Sequence, residues 1–178
     1  MTRPVLDNRT ARRLFLDRHL LLRPGSGPGT GRDLEQVLHA LGFVQIDSVN
    51  TLARAHDLIL WSRRGQYRPR ALDRLVARRR TAFEHWTHDA ATIPIEFYPM
   101  WRLKFARDEA RMRRRWPAWQ RAGWQGELDT VLAHVAEHGP VSSLDVGRDE
   151  AKGSSGWWDW HPSKTALEFL WRSSRSAS

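Results

Sequence analysis

The sequence predicts a mainly α-helical fold with small β elements. Three observations carry that expectation: apolar residues recur at three- and four-residue spacing in most segments, Gly and Pro fall at segment ends, and one short stretch alternates apolar with polar residues. With 178 residues, 40% of them hydrophobic, the chain suffices for one ordinary domain or two small ones, each with its own core.

The opening LDNRTARRLFLDRHLLL places Leu6, Leu14, Phe15, Leu20 and Leu21 at near-helical spacing, with Asp7, Asn8 or Thr10 available as cap. RPGSGPGTGR, with four Gly and two Pro in ten residues, reads as a flexible loop; it lacks the GK[ST] ending of a phosphate-binding loop. DLEQVLHALGF restores helical periodicity, with Gly42 as its C-cap. GFVQIDSVN then alternates as an extended strand. TLARAHDLILWSRRG is expected as a helix capped by Ser48 or Asn50 and stopped by Gly65, and ALDRLVARRRTAFEHWTHDA as a further, broken helix. ELDTVLAHVAEHGPVSSLDV reads as helix, turn at Gly139 and Pro140, and second short helix, the first half of a helix-turn-helix. KTALEFLW supplies a final helix with Ala166, Phe169 and Leu170 on one face. A winged helix needs a β-hairpin next, whereas the chain continues as the polar RSSRSAS. The expectation is therefore a first domain over 1–125, with a basic helical extension, and over 126–178 the start of a second unit, truncated before its wing. The face of the last helix is expected to be partly bare.

A formal net charge of +9 points to a polyanionic partner, nucleic acid first. The stretch from Trp101 to Trp124 holds eight Arg or Lys against two acidic residues, a net of +6 interleaved with Trp116, Trp119 and Trp124, and suits phosphate contact. No apolar run reaches the ~18 residues that span a bilayer, and no signal-peptide pattern opens the chain, so no membrane partner and a cytoplasmic, nucleoid-associated location are expected. The absence of Cys removes disulfides, thiolate nucleophiles and Cys-type zinc sites. HVAEH matches the H-x-x-E-H spacing of a zinc-peptidase class, but His138 sits at a helix C-terminus, where the dipole favours a cation, so no metal is expected. Trp157, Trp158 and Trp160 are read as packing residues.

The alternation in GFVQIDSVN sets Gln45 and Asp47 on one face of an otherwise apolar strand. One reading makes Asp47 a helix cap and Gln45 a solvated strand residue. The other is chemical: cleaving an N-glycosidic bond builds positive charge on the sugar, which a carboxylate stabilises while an amide orients water.

Taken together, LLLRPGSG, VQIDSVNTLARAHDLILWSRRGQY, FEHWTHDAATIP, HGPVSSLDV and GWWDWHPSKTALEFLW resemble the winged-helix DNA glycosylases of the AlkZ and YcaQ type, over about residues 6 to 171. The resemblance implies tandem winged helices, the second incomplete in this chain, that hold double-stranded DNA. It also implies excision of alkylated purines and unhooking of interstrand crosslinks, with no metal or other cofactor. Gln45 and Asp47 match the family's catalytic Gln-x-Asp form, that of its crosslink-repair subgroup. Arg54, Arg63, Arg64 and Lys164, by charge and placement in the matched segments, are the candidates for DNA phosphate contact. The rival function is a winged-helix DNA-binding module without chemistry.

Overall fold

A computed structural model describes residues 5–118, 122–146 and 161–174. Trp119 and the Trp157, Trp158 and Trp160 run lie outside them. The chain forms two compact units, Met1–Pro99 and Met100–Ser178. The division falls in the first turn of the basic helix, ahead of the expected 125/126, and Met112 of that helix, with Trp116 just past its end, belongs to the core of the second unit.

In the first unit, α1 (Asn8–Arg18) is capped as its sequence suggests: the Asp7 carboxylate accepts the Thr10 N–H at 2.9 Å and its hydroxyl at 2.6 Å. No residue of α1 is buried. α2 (Gly31–Leu41) places Leu34, Val37 and Leu38 one above another on its core face, each at most 1% exposed. Gly42 ends it at φ +84°, a conformation that Gly adopts without a Cβ clash. β1 (Val44–Gln45) follows, then α3 (Ala55–Trp61) and α4 (Arg70–Ala77). The helix expected from Thr51 starts only at Ala55, with Arg54 at the N-cap, so Ser48 and Asn50 belong to a loop.

The largest correction concerns residues 82–94, which form a hairpin, β2 (Ala82–Trp86) and β3 (Ala90–Pro94), in place of a continued helix. Helix α4 stops before the like-charged run Arg78–Arg80, and Arg80 takes φ +53°. Beyond it, aromatic and β-branched residues favour the pleated surface. The turn closes through the Thr87 N–H to the Asp89 carbonyl at 2.9 Å, and the Asp89 carboxylate accepts the Ala90 N–H at 2.8 Å. β3 lies between β1 and β2, antiparallel to both, with Val44 opposite Thr92 and Phe83 opposite Ile93. Leu34, Leu38, Val44, Leu60, Tyr67 and Leu75 share one core against this sheet. The succession helix, strand, helix, helix and hairpin is winged-helix-like, with α4 in the place of the recognition helix.

Glu35 fastens α2 to the start of the hairpin, accepting from Arg79 Nε at 2.7 Å and from the Thr81 hydroxyl at 2.8 Å. The Arg79 hydrogen bond holds its carboxyl below the ordinary 4.5, against a smaller opposing effect of burial. A depressed folded-state pKa stabilises the fold above the unfolded value and loses that contribution as pH falls through the folded one. Half the Arg79 side chain is exposed, so the effect is modest. The melting-temperature advantage of the native chain over Glu35→Gln should shrink as pH falls from neutrality through and below the ordinary 4.5 of a Glu carboxyl. A constant difference in thermal melts would exclude this linkage.

The second unit contains most of α5 (Tyr98–Arg115), with α6 (Leu128–His138) and α7 (Pro162–Arg172). Phe169 packs against Trp124 and Trp116 at ring-centre distances of 4.9 and 6.0 Å, and the Arg113 guanidinium lies 5.1 Å above its ring. Ala166 and Leu170 meet Val131 of α6 in an adjoining cluster. Ala166, Phe169 and Leu170 of α7 are at most 1% exposed, packed among the described residues against α5 and α6, while Leu167 and Trp171 remain partly exposed, so the face is better covered than the sequence suggests. The expected short helix in VSSLDV is a turn, in which the Asp145 carboxylate accepts the Ser142 N–H at 2.8 Å and its hydroxyl at 2.7 Å. No helix among the described residues is long and apolar enough to cross a membrane.

Candidate active site

Strand β1 is anchored by Val44, 1% exposed, and leaves Gln45 exposed. Pairing extends one residue further, the Ile46 N–H donating to the Ala90 carbonyl at 2.7 Å. The extended run thus carries Gln45 and Asp47 on the side opposite Val44. The strand departs from the sheet at Asp47, whose N–H donates to His56 Nδ1 at 3.1 Å. Its Oδ1 accepts the Val49 N–H at 2.8 Å, an Asx turn rather than a helix cap, since α3 begins eight residues later. Among the described residues, Asp47 Oδ2 and the Gln45 amide have no hydrogen-bond partner. One carboxylate oxygen holds the turn, and the other is open to water or substrate.

Beneath this loop lies a polar chain rooted in the core. His56, 7% exposed in the first turn of α3, has Nε2 3.9 Å from Asp57 Oδ2, and Asp57 Oδ1 accepts the Tyr67 hydroxyl at 2.9 Å. Burial, then the hydrogen bond to Asp57, pushes the Tyr67 phenol far above its ordinary 10.0, so it remains a donor.

The four cations expected at DNA phosphates divide. Arg54 is exposed at the N-cap of α3. Arg63 is buried and spent internally, Nε donating to the His19 carbonyl at 3.0 Å and Nη1 to the Ile59 carbonyl at 3.0 Å and the Ser62 hydroxyl at 2.8 Å. Arg64 pairs with Asp33 at 2.8 Å and donates to the Arg63 carbonyl at 2.9 Å. Both guanidinium groups brace the fold; Arg63 is buried, whereas Arg64 is partly exposed and its Nη2 makes no hydrogen bond among the described residues. Lys164 stands half-buried on α7 in the second unit.

The Gly-rich segment is a close-fitting clamp rather than a free connection. A Cβ on Gly25 would lie 1.8 Å from the Arg63 carbonyl oxygen, and one on Gly29 would lie 2.8 Å from Tyr67 Cα. The Gly29 N–H also donates to Asp33 at 2.8 Å. Between this clamp and α4 opens a pocket of about 610 Å³ lined by Gly29, Gln66, Arg68, Arg70 and Arg74, a basic concavity that the sequence pattern alone does not bring out. Its one local signal lies in RPRALDR, where Arg70 and Arg74 are one helical turn apart. The pocket does not include Gln45 or Asp47.

In HVAEH the His134 and His138 rings stack with centres 4.3 Å apart, and His138 Nδ1 donates to the His134 carbonyl at 3.1 Å. Among the described residues no three His, Asp or Glu cluster as metal ligands.

No solved structure matches the chain. A family model described as DNA glycosylase AlkZ-like matches residues 38–175, a span that includes Gln45, Asp47, His56 and the arginines of α4. With most of its length so matched, the chain belongs to the AlkZ-like family of DNA glycosylases.

Proposed function

We propose that this chain is a monofunctional DNA glycosylase of the Gln-x-Asp subgroup, which hydrolyses the N-glycosidic bond of alkylated purines in duplex DNA and unhooks interstrand crosslinks joined through them. The observation that carries the proposal is the pair at the end of β1: an exposed amide on Gln45, and two residues on, in the loop, the Asp47 carboxylate with one oxygen uncommitted among the described residues. A purine alkylated at N7 is cationic and takes the bonding electrons readily, so no dedicated general acid is required. As the C1′–N9 bond breaks, charge grows on the sugar, and the Asp47 carboxylate stabilises it. Water held by the Gln45 amide adds to C1′ and gives up its proton to the Asp47 carboxylate, which releases it to solvent, leaving an abasic sugar and the neutral free base. A retained lysine adduct has no part in this scheme, nor does a metal or other cofactor.

For the DNA backbone, Arg54 and the Arg68, Arg70 and Arg74 pocket are the proposed contacts in the first unit, with Lys164 and the exposed arginines of α5 in the second. Arg63 and Arg64 serve as scaffold. A location at the nucleoid in the cytoplasm follows from this substrate. Binding should be largely sequence-independent and salt-sensitive, since it rests on phosphate neutralisation. Replacing Arg70 and Arg74 with Ala should flatten the slope of log affinity against log salt by roughly 0.9 for each phosphate no longer neutralised. Fluorescence anisotropy at several ionic strengths reads this slope, and an unchanged slope would remove the pocket from the interface.

The winged-helix-like order and basic surface also favour a second reading, a DNA-binding protein without chemistry. Incubation with a singly alkylated duplex and with a crosslinked duplex, followed by hot alkali, separates the two. Strand breaks at the lesion and separation of crosslinked strands are expected; binding with neither would favour the non-catalytic module.

A further inference from the structure

We infer that His56 is a positioning residue, whose Nδ1 fixes the Asp47 backbone so that the carboxylate is presented to the scissile sugar; this rests on the catalytic reading of Asp47. At Ile46 the strand still pairs with β3. One residue later the sheet offers no acceptor, and His56 takes the Asp47 N–H at 3.1 Å. The ring can accept there only through the Nδ1 lone pair, which puts its proton on Nε2, the nitrogen that faces Asp57 at 3.9 Å. Asp57 is held in turn by the hydroxyl of Tyr67, 2% exposed within the core of the first unit. His56 is itself 7% exposed in the first turn of α3, so the position of Asp47 is referred to a buried helix through this one side chain.

The consequence is geometric. The loop from Ile46 to Arg54 contains no helix or strand. Among the described residues, the main chain of Asp47 has one hydrogen bond to another element, the one to His56. Loss of that acceptor leaves the Asp47 N–H without its partner, and a shift of the loop by about an ångström is enough to cost on the order of 100-fold in a reaction that depends on placement.

An ordinary core histidine would require only its volume, whereas a positioning residue requires an acceptor at Nδ1. The two are separable because Asn carries its carbonyl oxygen on Cγ, where His carries Nδ1, while Leu keeps bulk and lacks any acceptor. Single-turnover release of base from a duplex bearing one N7-methylguanine should slow by roughly 10- to 100-fold in His56→Leu, and recover to within about fivefold of the native rate in His56→Asn. Duplex affinity should stay within about twofold in both, because the ring is 7% exposed and offers a phosphate almost no surface. A native rate in His56→Leu, or an Asn variant as slow as the Leu variant at equal thermal stability, would overturn the inference. Should either variant fold poorly, amide exchange in the native chain decides: the Asp47 N–H should be protected relative to the neighbouring loop amides of Ser48 and Asn50, and exchange at the same rate as theirs would overturn the inference. The catalytic reading fails separately, if Asp47→Asn excises base normally; a dead Asp47→Asn beside a fully active His56→Leu would dismiss His56 alone.

Discussion

Asp47→Asn should reduce single-turnover excision of N7-methylguanine by roughly 100- to 1,000-fold, the scale on which a preorganised electrostatic group acts on charge that develops in a transition state. Duplex affinity should be nearly unchanged, because the sugar carries no such charge in the bound ground state. The substitution is conservative for the loop: the Asn side-chain oxygen can still accept the Val49 N–H that Asp47 Oδ1 accepts at 2.8 Å, and the main-chain bond to His56 does not involve the carboxylate. Thermal stability should therefore hold while the rate collapses. Gln45→Ala should cost less, about tenfold, since a water can be held in place less well but is still present. Equal losses of stability and rate in Asp47→Asn would mark a residue that holds the turn and nothing more.

The largest structural effect is expected at Phe169. Its ring is fully buried between Trp116 and Trp124, with the Arg113 guanidinium above it, and it joins α5 to α7 within the second unit. Phe169→Ala removes the transfer free energy of the ring and leaves a cavity walled by two rigid indoles that collapse poorly. A loss of about 3 to 5 kcal/mol is expected, against ~5 to 15 kcal/mol for a whole domain. Hydrogen exchange should then quicken across α5, α6 and α7, while Leu34, Leu38 and Leu60 of the first unit keep their protection. Unaltered protection in the second unit would mean that the aromatic cluster is not its principal support.

How much of this is legible in the chain differs by kind of interaction. Local signals read well. The Leu34, Val37 and Leu38 spacing, the Asp7 cap and the Gly42 stop are properties of neighbouring residues, and each takes the conformation its chemistry favours. The hairpin does not read, because TAFEHWTHDA has Ala, Glu and His enough to continue a helix, and pairing with β1 across nearly fifty residues decides otherwise. The same distinction applies at the site. Gln45 and Asp47 stand out because two polar side chains alternate within an apolar run. His56 does not, since the bond that gives it meaning crosses nine residues of loop. Arg63 and Arg64 look like surface cations in the bare sequence because their acceptors are remote, the His19 carbonyl 44 residues away and Asp33 31 residues away. Long-range polar partners, rather than propensity, separate the scaffold arginines from the ones that face the pocket.

Direct chromatography of the base released from a duplex with a single N7-methylguanine, with enzyme in excess, bears most immediately on the proposed chemistry. The expected result is stoichiometric free N7-methylguanine, with the DNA strand left intact but alkali-labile at the abasic site. Recovery of the duplex with its methylated base still attached, under conditions where anisotropy shows the protein bound, would contradict the assignment of Gln45 and Asp47 as a hydrolytic pair.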